Sequence, residues 1–346
     1  MSSAADRSSR GLAAIVGCLV SDAAAQPLHW IYNLDKLDSI VGSNTDSLEF
    51  WEPSQNPYYR IETGRGTAYA DHTIALMESL VACEGYDKAD FGDHLQAMFG
   101  PGTDYDNDLN KTFVLKSGVQ SGYPINGPWR PKAIKDFLAN RAEGKERTGS
   151  DHMHDMHAVV GVVPMVALYA GRSDMLEKVE ESIAVVTEVE EAIVVGLAAA
   201  RVLEQFILNP DMDGDAALTA VMTDLASPSR NNPTDLDRAV IGQLKKVMDK
   251  KACEHREAAQ KYFLNNLPGA FQSALHCLVN HSELAPAVRT TMMAGGCNAS
   301  RSGFIGACLG ARNGLQGIPE TWKSKTLAYP RILELSRKLV AIQPTD

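Results

Sequence analysis

The chain has 346 residues and a formal net charge of −10. This acidic balance argues against a nucleic-acid partner, because phosphate binding requires clustered positive charge. No uninterrupted apolar run reaches the length of a membrane span, and the N-terminus lacks a basic secretory region, so we expect no membrane partner. The six cysteines form no C-x-x-C pair, which predicts a reduced, cytoplasmic compartment.

The first third of the chain combines two periodic segments with a long irregular one. Apolar residues at helical spacing predict a helix over Arg7–Gln26. Residues Pro27–Tyr69 show no such period, and long irregular stretches of this kind are often functional. A second helix is predicted over Thr73–Cys83, with Asp71 as its N-cap.

Two later stretches carry metal-ligand residue types. Asp104, Asp106 and Asp108 alternate as in a calcium-binding loop, but Leu109 and Leu115 occupy the positions of the required glycine and glutamate. The spacing therefore predicts no calcium site.

Three histidines, His152, His154 and His157, lie within six residues. His154 and His157 have the spacing to share one face of a helix. No complete tetrahedral ligand set lies nearby, so a metal-binding role and a structural or solvent-facing role both remain open for this cluster.

The remainder of the chain reads as successive helices, with Ser173 and Thr234 as predicted N-caps. The predicted helices are Lys132–Arg141, Val159–Tyr169, Asp174–Val186, Val189–Leu208, Asp215–Leu225, Asp235–Met248, Glu254–Phe263, Ala270–Val279, Ala287–Met293, Arg301–Asn313 and Ile332–Ile342. No alternating β-branched run predicts a strand, and no stretch has the composition of a linker. We predict an all-α protein with a single large, compact multi-helix domain over residues 1–346.

The stretch Gly295–Gly314 combines a glycine-rich loop with a helix of small residues. Gly306, Gly310 and Gly314 recur at intervals of four residues, which places them on one helical face. We therefore expect another helix to approach this face closely. The loop before the helix, which includes Cys297, is the natural position for a binding site.

Three segments have acidic or small-residue turns joined to apolar helices: Gly17–Trp30, Tyr69–Ser79 and Gly295–Gly314. Helix ends expose unpaired backbone groups, and acids there can bind a hard cation. A simpler interpretation of the same pattern is two N-caps and a tight helix crossing.

In this order, the three segments resemble the motifs of the ADP-ribosylglycohydrolase superfamily. The resemblance implies a large all-α domain in which two magnesium ions orient an ADP-ribosyl group for hydrolysis. The motif G-x-x-x-G-D-A-x-G is matched by Gly17, Ser21, Asp22, Ala23 and Ala25; T-D-D-T by Ala70, Asp71, His72 and Thr73; and G-G-D-T-D-T by Gly295, Gly296, Cys297, Asn298, Ala299 and Ser300.

The departures from these motifs concern the metal ligands. The ligand positions of the resembled family correspond here to Ala70, Asp71, His72, Cys297, Ala299 and Ser300. Of the four aspartates in the second and third motifs, only Asp71 remains. Magnesium prefers oxygen ligands, usually including carboxylates. We therefore expect no bound metal and no other cofactor in this chain.

The resemblance also implies a residual cleft. Asp22, Asp71 and His72 are its candidate catalytic residues, and Asn298 and Ser300 are its candidate substrate-binding residues. Because three of the four aspartates of the second and third motifs are replaced, we assign no catalytic role to any of them.

Within the superfamily, the chain most resembles the J-crystallins of the jellyfish eye lens. That resemblance implies a structural lens protein without hydrolase activity, able to self-associate at high concentration. Two alternatives remain open. The first is a hydrolase with weak or metal-independent cleavage, using Asp71 or Asp22 as general base with His72 assisting. The second is a module that retains affinity for ADP-ribose without turnover.

Overall fold

The computed structural model describes residues 3–107, 110, 122–228, 235–262 and 266–343, and these residues are predominantly helical. The helices are α1 (Ala4–Ala25), α2 (Leu34–Val41), α3 (Ala68–Ala82), α4 (Lys88–Phe99), α5 (Lys132–Ala142), α6 (His157–Val160), α7 (Val163–Tyr169), α8 (Met175–Ala184), α9 (Glu190–Leu208), α10 (Gly214–Leu225), α11 (Asp235–Asp249), α12 (His255–Lys261), α13 (Gly269–Leu278), α14 (Leu284–Met293), α15 (Asn298–Asn313), α16 (Glu320–Lys325) and α17 (Tyr329–Ala341). The predicted all-α fold is confirmed.

Extended structure in the described ranges is minimal. Strands β1 (Tyr59–Arg60) and β2 (Ile125–Asn126) pair in parallel over two residues each. Single-turn 3-10 helices cover Gln26–Leu28 and Leu315–Gly317. These short elements join loops to the helical body and do not form a layer of their own.

The start of α3 differs from the prediction. The helix begins at Ala68, and its N-cap is Thr67, whose side chain accepts a hydrogen bond from the Tyr69 amide. Asp71 is therefore not the N-cap. It lies inside the first turn, where the helix dipole still favours an acidic side chain.

The predicted irregular segment Pro27–Tyr69 contains a helix. Asn33 caps α2 by accepting from the Lys36 amide. Helices α4 and α16 also fall outside the predicted elements. All three are short, between six and twelve residues, so their apolar period is difficult to detect.

Two predicted helix starts in the second half are wrong, and one lies outside the described residues. The segment Val159–Tyr169 is divided between α6 and α7, because Pro164 opens a new helix at its first turn. Ser173 is not a cap, since α8 is preceded by Asp174. Thr234 lies outside the residues that the structure describes.

The centre of the fold is the crossing of α1 and α15. Helix α1 is buried from Ala13 to Ala25, and α15 from Asn298 to Ala311. A Cβ atom added to Gly17 would lie 2.1 Å from the Gly306 carbonyl oxygen, and one on Gly310 would lie 2.4 Å from the Ala13 carbonyl oxygen. The predicted close approach is confirmed.

Gly314 does not belong to this crossing. It caps the C-terminus of α15 with φ +71°, a left-handed conformation that glycine adopts without strain. The stretch Ala4–Leu28 is, among the described residues, long and apolar enough to cross a membrane, but 94% of its most apolar 18-residue window is buried inside the protein. It is thus the core helix of the fold.

A tight turn sets the start of α15. Gly295 and Gly296 both have positive φ, +70° and +62°, and Gly296 exchanges backbone hydrogen bonds with the segment Trp30–Ile31. The fully buried Arg301 donates to the Thr291 hydroxyl and to backbone carbonyls of Thr291 and Gly295. Because the turn ends at Cys297, α15 begins at Asn298, three residues before the predicted start.

Candidate functional site

The three motif segments converge at the C-terminal half of α1, the first turn of α3 and the start of α15. Asp22 bonds to Thr67, Asn298 bonds to the Leu28 carbonyl, and Cys297 contacts Tyr69. We define this region as the motif site. The fold therefore brings together residues that are separated by up to 270 positions in sequence.

Asp22 does not face an open cleft. Both of its carboxylate oxygens accept from Thr67, one from the backbone amide at 2.6 Å and the other from the hydroxyl at 2.7 Å. The side chain is fully buried. Burial raises the pKa of the Asp22 carboxyl group to about 7 against the lowering effect of these hydrogen bonds. Its place is structural: it anchors the N-terminus of α3 to α1.

Substituting Thr67 tests this anchor. Thr67→Val removes the hydroxyl that both caps α3 and bonds to Asp22, so we expect the free energy of unfolding to fall by about 2 kcal/mol. Thr67→Ser keeps the hydroxyl and is the matched control, with a much smaller expected loss. Urea unfolding followed by circular dichroism measures both values. An equal loss in the two variants would contradict the anchoring role.

Asp71 is the acid of the motif site that retains contact with solvent, with 14% of its side chain exposed. Its Oδ2 accepts from the Tyr105 hydroxyl at 2.6 Å, and the Arg65 guanidinium lies 3.7 Å away. Burial raises the pKa of the Asp71 carboxyl group, while Tyr105 and Arg65 oppose that shift. A cation next to this carboxylate already provides part of the charge compensation that a metal ion would supply.

The His72 side chain points away from Asp71 and contacts His157 and Phe91. Its Nδ1 lies 2.8 Å from Nδ1 of His157, and its ring stacks on Phe91. Burial lowers the pKa of His72 well below its ordinary value and that of His157 to about 3. At neutral pH the pair is therefore uncharged, with one ring donating to the other.

The predicted histidine cluster is separated by the fold. His157 is buried in α6 against His72, whereas His152 is half-exposed and bonds to Asp151. His154 precedes α6 and is not helical, so it does not share a helix face with His157. Among the described residues, no group of three or more metal-ligating side chains is arranged to hold an ion.

Cys297 is the centre of a buried polar cluster. Its Sγ lies 3.0 Å from the Ser300 hydroxyl and 3.4 Å from both the Tyr69 hydroxyl and His29 Nε2. His29 Nδ1 in turn contacts the Tyr59 hydroxyl at 3.0 Å. Burial raises the pKa of the thiol, so a neutral Cys297 occupies a position that the family motif assigns to a carboxylate.

The two candidate substrate-binding residues are completely buried. Asn298 Nδ2 donates to the Leu28 carbonyl at 3.1 Å, and its Oδ1 has no partner. The Ser300 hydroxyl donates to the Cys297 carbonyl. Ala70 and Ala299 are also buried and provide no donor or acceptor side chain. These residues close the inner wall of the motif site.

The paired aspartates of the calcium-like stretch make other contacts. Asp104 forms an ion pair with Arg65 at 3.0 Å, and Asp106 accepts from the Gly102 amide at 2.9 Å. Asp108, Leu109 and Leu115 lie outside the described residues.

Four residues of the motif site were not among the predicted candidates: Thr67, Tyr69, Tyr105 and His29. His157 was noted only as part of the histidine cluster, without its contact to His72. Only Thr67 left a usable signal, as a threonine directly before a helix. The others join the site through contacts between distant parts of the chain.

Comparison with known proteins identifies relatives over the whole length of the chain. The family model described as ADP-ribosylglycohydrolase matches residues 3–346. The chain belongs to the ADP-ribosylglycohydrolase family. It is 31% identical to crystallin J1B of Tripedalia cystophora over 333 residues, covering 96% of each chain. It is also 31% identical to crystallin J1A of the same organism over 331 residues, covering 95% of this chain and 96% of the relative.

Among solved structures, the chain resembles an ADP-ribosylglycohydrolase-related protein complex. The TM-score is 0.69 at 16% identity, covering 98% of this chain and 99% of the other. At this identity the similarity supports the fold alone. The family match and the two crystallin relatives confirm the resemblance to the family and to the J-crystallins.

The donor set does not suit the two magnesium ions that the family resemblance implies. Magnesium requires oxygen ligands in near-octahedral geometry. Here Asp71 is bonded to Tyr105 beside Arg65, both oxygens of Asp22 are occupied by Thr67, and Cys297 contributes a neutral thiol. The remaining family positions contribute an imidazole turned toward His157, two buried alanines, and the Ser300 hydroxyl, which donates to the Cys297 carbonyl.

Proposed function

We propose that this member of the ADP-ribosylglycohydrolase family is a structural protein of the crystallin type, with a degenerate magnesium site and without hydrolase activity. The observation that carries the proposal is the buried cluster around Cys297. Its members bond to one another and to the backbone, so they stabilise the protein at a position where an enzyme would keep ligands available. The crystallin relatives support the same interpretation.

The proposed role sets requirements on charge and partners. A net charge of −10 keeps copies of the chain apart in solution through mutual repulsion. We propose a cytoplasmic protein that neither binds nucleic acid nor membranes, and whose self-association is confined to very high concentration.

A hydrolase is the second candidate, and Asp71 is the observation that favours it. Its partly exposed carboxylate and raised pKa suit a general base toward water. Asp22 and His72 are less suitable, because both are buried and already paired. An ADP-ribose-binding module without turnover is a third outcome of the same experiment.

The test measures metal affinity, turnover and binding in the full-length chain. For the structural role, we expect magnesium titration to give no heat and no rise in melting temperature, and ADP-ribosyl-arginine to release no ADP-ribose. Asp71→Asn is the matched variant and is expected to behave like the parent chain.

Each alternative has its own signature in these measurements. Micromolar magnesium affinity would overturn the degenerate-site interpretation. Release of ADP-ribose that Asp71→Asn abolishes would establish the hydrolase. A melting temperature that rises with ADP-ribose but without release would establish the binding module, because ligands that bind the native state stabilise it.

A further inference from the structure

A cavity remote from the motif site lies between α9, α11 and α13. Its volume is about 180 Å³. Its walls are apolar side chains, among them Val194, Ala198, Val240, Leu244 and Phe271. Most of these side chains are buried, with Phe271 and Ala198 each only 2% exposed. A dry apolar cavity of about 150 Å³ is large enough to bind benzene, so this one has room for an aromatic ring with a short chain.

The mouth of the cavity is acidic. Glu190 and Glu191 belong to its lining and are solvent-exposed in the first turn of α9. The helix N-terminus contributes only about half a positive charge, which leaves the two carboxylates with a net negative potential. The third polar lining residue, Gln243, accepts through its side-chain oxygen from Gln272 at 2.8 Å and from the Lys246 ammonium at 3.4 Å. This single cation offsets only one of the two carboxylate charges. No lysine or arginine is among the described lining residues.

We propose that this cavity binds a compact aryl- or alkylammonium ion. The hydrocarbon body enters the apolar cavity, and the ammonium group stays at the mouth beside Glu190 and Glu191. Burial of the apolar body provides most of the affinity, and the two carboxylates select for positive charge. The overall acidity of the chain acts in the same direction. This site shares no residue with the motif site and does not depend on the proposed function.

Three probes of similar size and different charge test the proposal: phenethylamine, 2-phenylethanol and phenylacetate. Their affinities for the full-length chain are measured by ligand-observed NMR titration. We expect phenethylamine to bind roughly fivefold more tightly than the alcohol, as for an exposed ion pair, and phenylacetate to bind most weakly. Failure of all three probes to bind, or an order independent of charge, would overturn the proposal.

Two variants locate the site. Ala239→Trp places an indole in the mouth from an exposed position of α11 and is expected to abolish binding. Ala216→Trp, at an exposed position of α10, is the matched control and should bind normally. The double variant Glu190→Gln/Glu191→Gln should keep its affinity for 2-phenylethanol and lose the preference for the amine. Binding that survives Ala239→Trp, or an amine preference that survives the double variant, would contradict the assignment.

Discussion

Replacing Gly306 with alanine is expected to lower the free energy of unfolding by about 3 kcal/mol. A Cβ atom at this position would lie 2.2 Å from the Gly17 carbonyl oxygen and 2.4 Å from the Ser21 hydroxyl oxygen. Because the nearest atom belongs to the backbone of the buried helix α1, no rotamer change can relieve the contact. The two central helices would have to move apart. Urea unfolding of the full-length chain measures the loss.

Gly242 provides the matched control for Gly306. It also lies inside a helix, α11, but a Cβ atom there would have nothing within 4 Å. Gly242→Ala is expected to stabilise the protein by about 0.5–1 kcal/mol, through the lower entropy of the unfolded chain. A neutral Gly306→Ala variant would show that the crossing tolerates separation, and would contradict the central role given to it here.

This crossing shows how much of the fold the sequence could predict. The four-residue spacing of Gly306 and Gly310 is a local pattern, and close helix packing follows from it directly. Helix identity was likewise predictable wherever the apolar period extended over several turns. The exact ends were less so: α15 starts at Asn298 because the Gly295–Gly296 turn and Arg301 fix it there, and those contacts depend on α14.

The candidate site was predictable only as a region. Motif order indicated only that Asp22, Asp71 and Cys297 belong to one part of the molecule. It did not reveal that Asp22 is occupied by Thr67 or that His72 turns to His157. These partners lie 45 and 85 positions away in sequence. Which of two such distant side chains meet depends on how the helices pack, and a local sequence pattern does not contain that information.

The replacement of acids at the motif site has an energetic consequence. A lone carboxylate in a buried, low-dielectric position is costly unless it is paired. His72, Cys297 and Ala299 occupy the positions where the family motifs have acids, and none of the three carries that cost. Asp71, with 14% of its side chain exposed, has a cation and a hydroxyl donor beside it. This saving in burial cost is the energetic basis of the proposed structural role.

Acid is expected to destabilise the protein sharply between pH 6.5 and pH 5. Burial lowers the pKa values of four histidines well below the ordinary value, namely His29, His72, His157 and His255. Below pH 6.5 the unfolded chain binds protons at these residues and the folded chain does not, so falling pH favours unfolding.

Buried carboxyl groups act in the opposite direction, and the two with the largest shifts are Asp22 and Asp155. Burial raises the pKa of Asp22 to about 7 and that of Asp155 to about 6. The folded chain therefore binds protons at these groups first, and the stability they contribute at low pH is lost as pH rises toward 7. Burial also lowers the pKa values of His276 and His281 and raises those of Asp71 and Glu204, and these two effects oppose one another. With six histidines against four carboxyl groups, we expect a net loss of roughly 2 kcal/mol per pH unit below about pH 6.

The variant His157→Phe separates the histidine contribution from the rest. It removes one buried histidine while keeping an aromatic ring against Tyr69, whose centroid lies 4.4 Å from that of His157. The slope of unfolding free energy against pH is expected to decrease by about 1.4 kcal/mol per pH unit, whatever the change in absolute stability. Phe206→Leu, at a fully buried position, perturbs the core without removing a titratable group; it is the control and should leave the slope unchanged. Urea unfolding at intervals from pH 7 to pH 5 gives both slopes. A flat profile in the parent chain, or an unaltered slope in His157→Phe, would show that the buried imidazoles accept protons without unfolding.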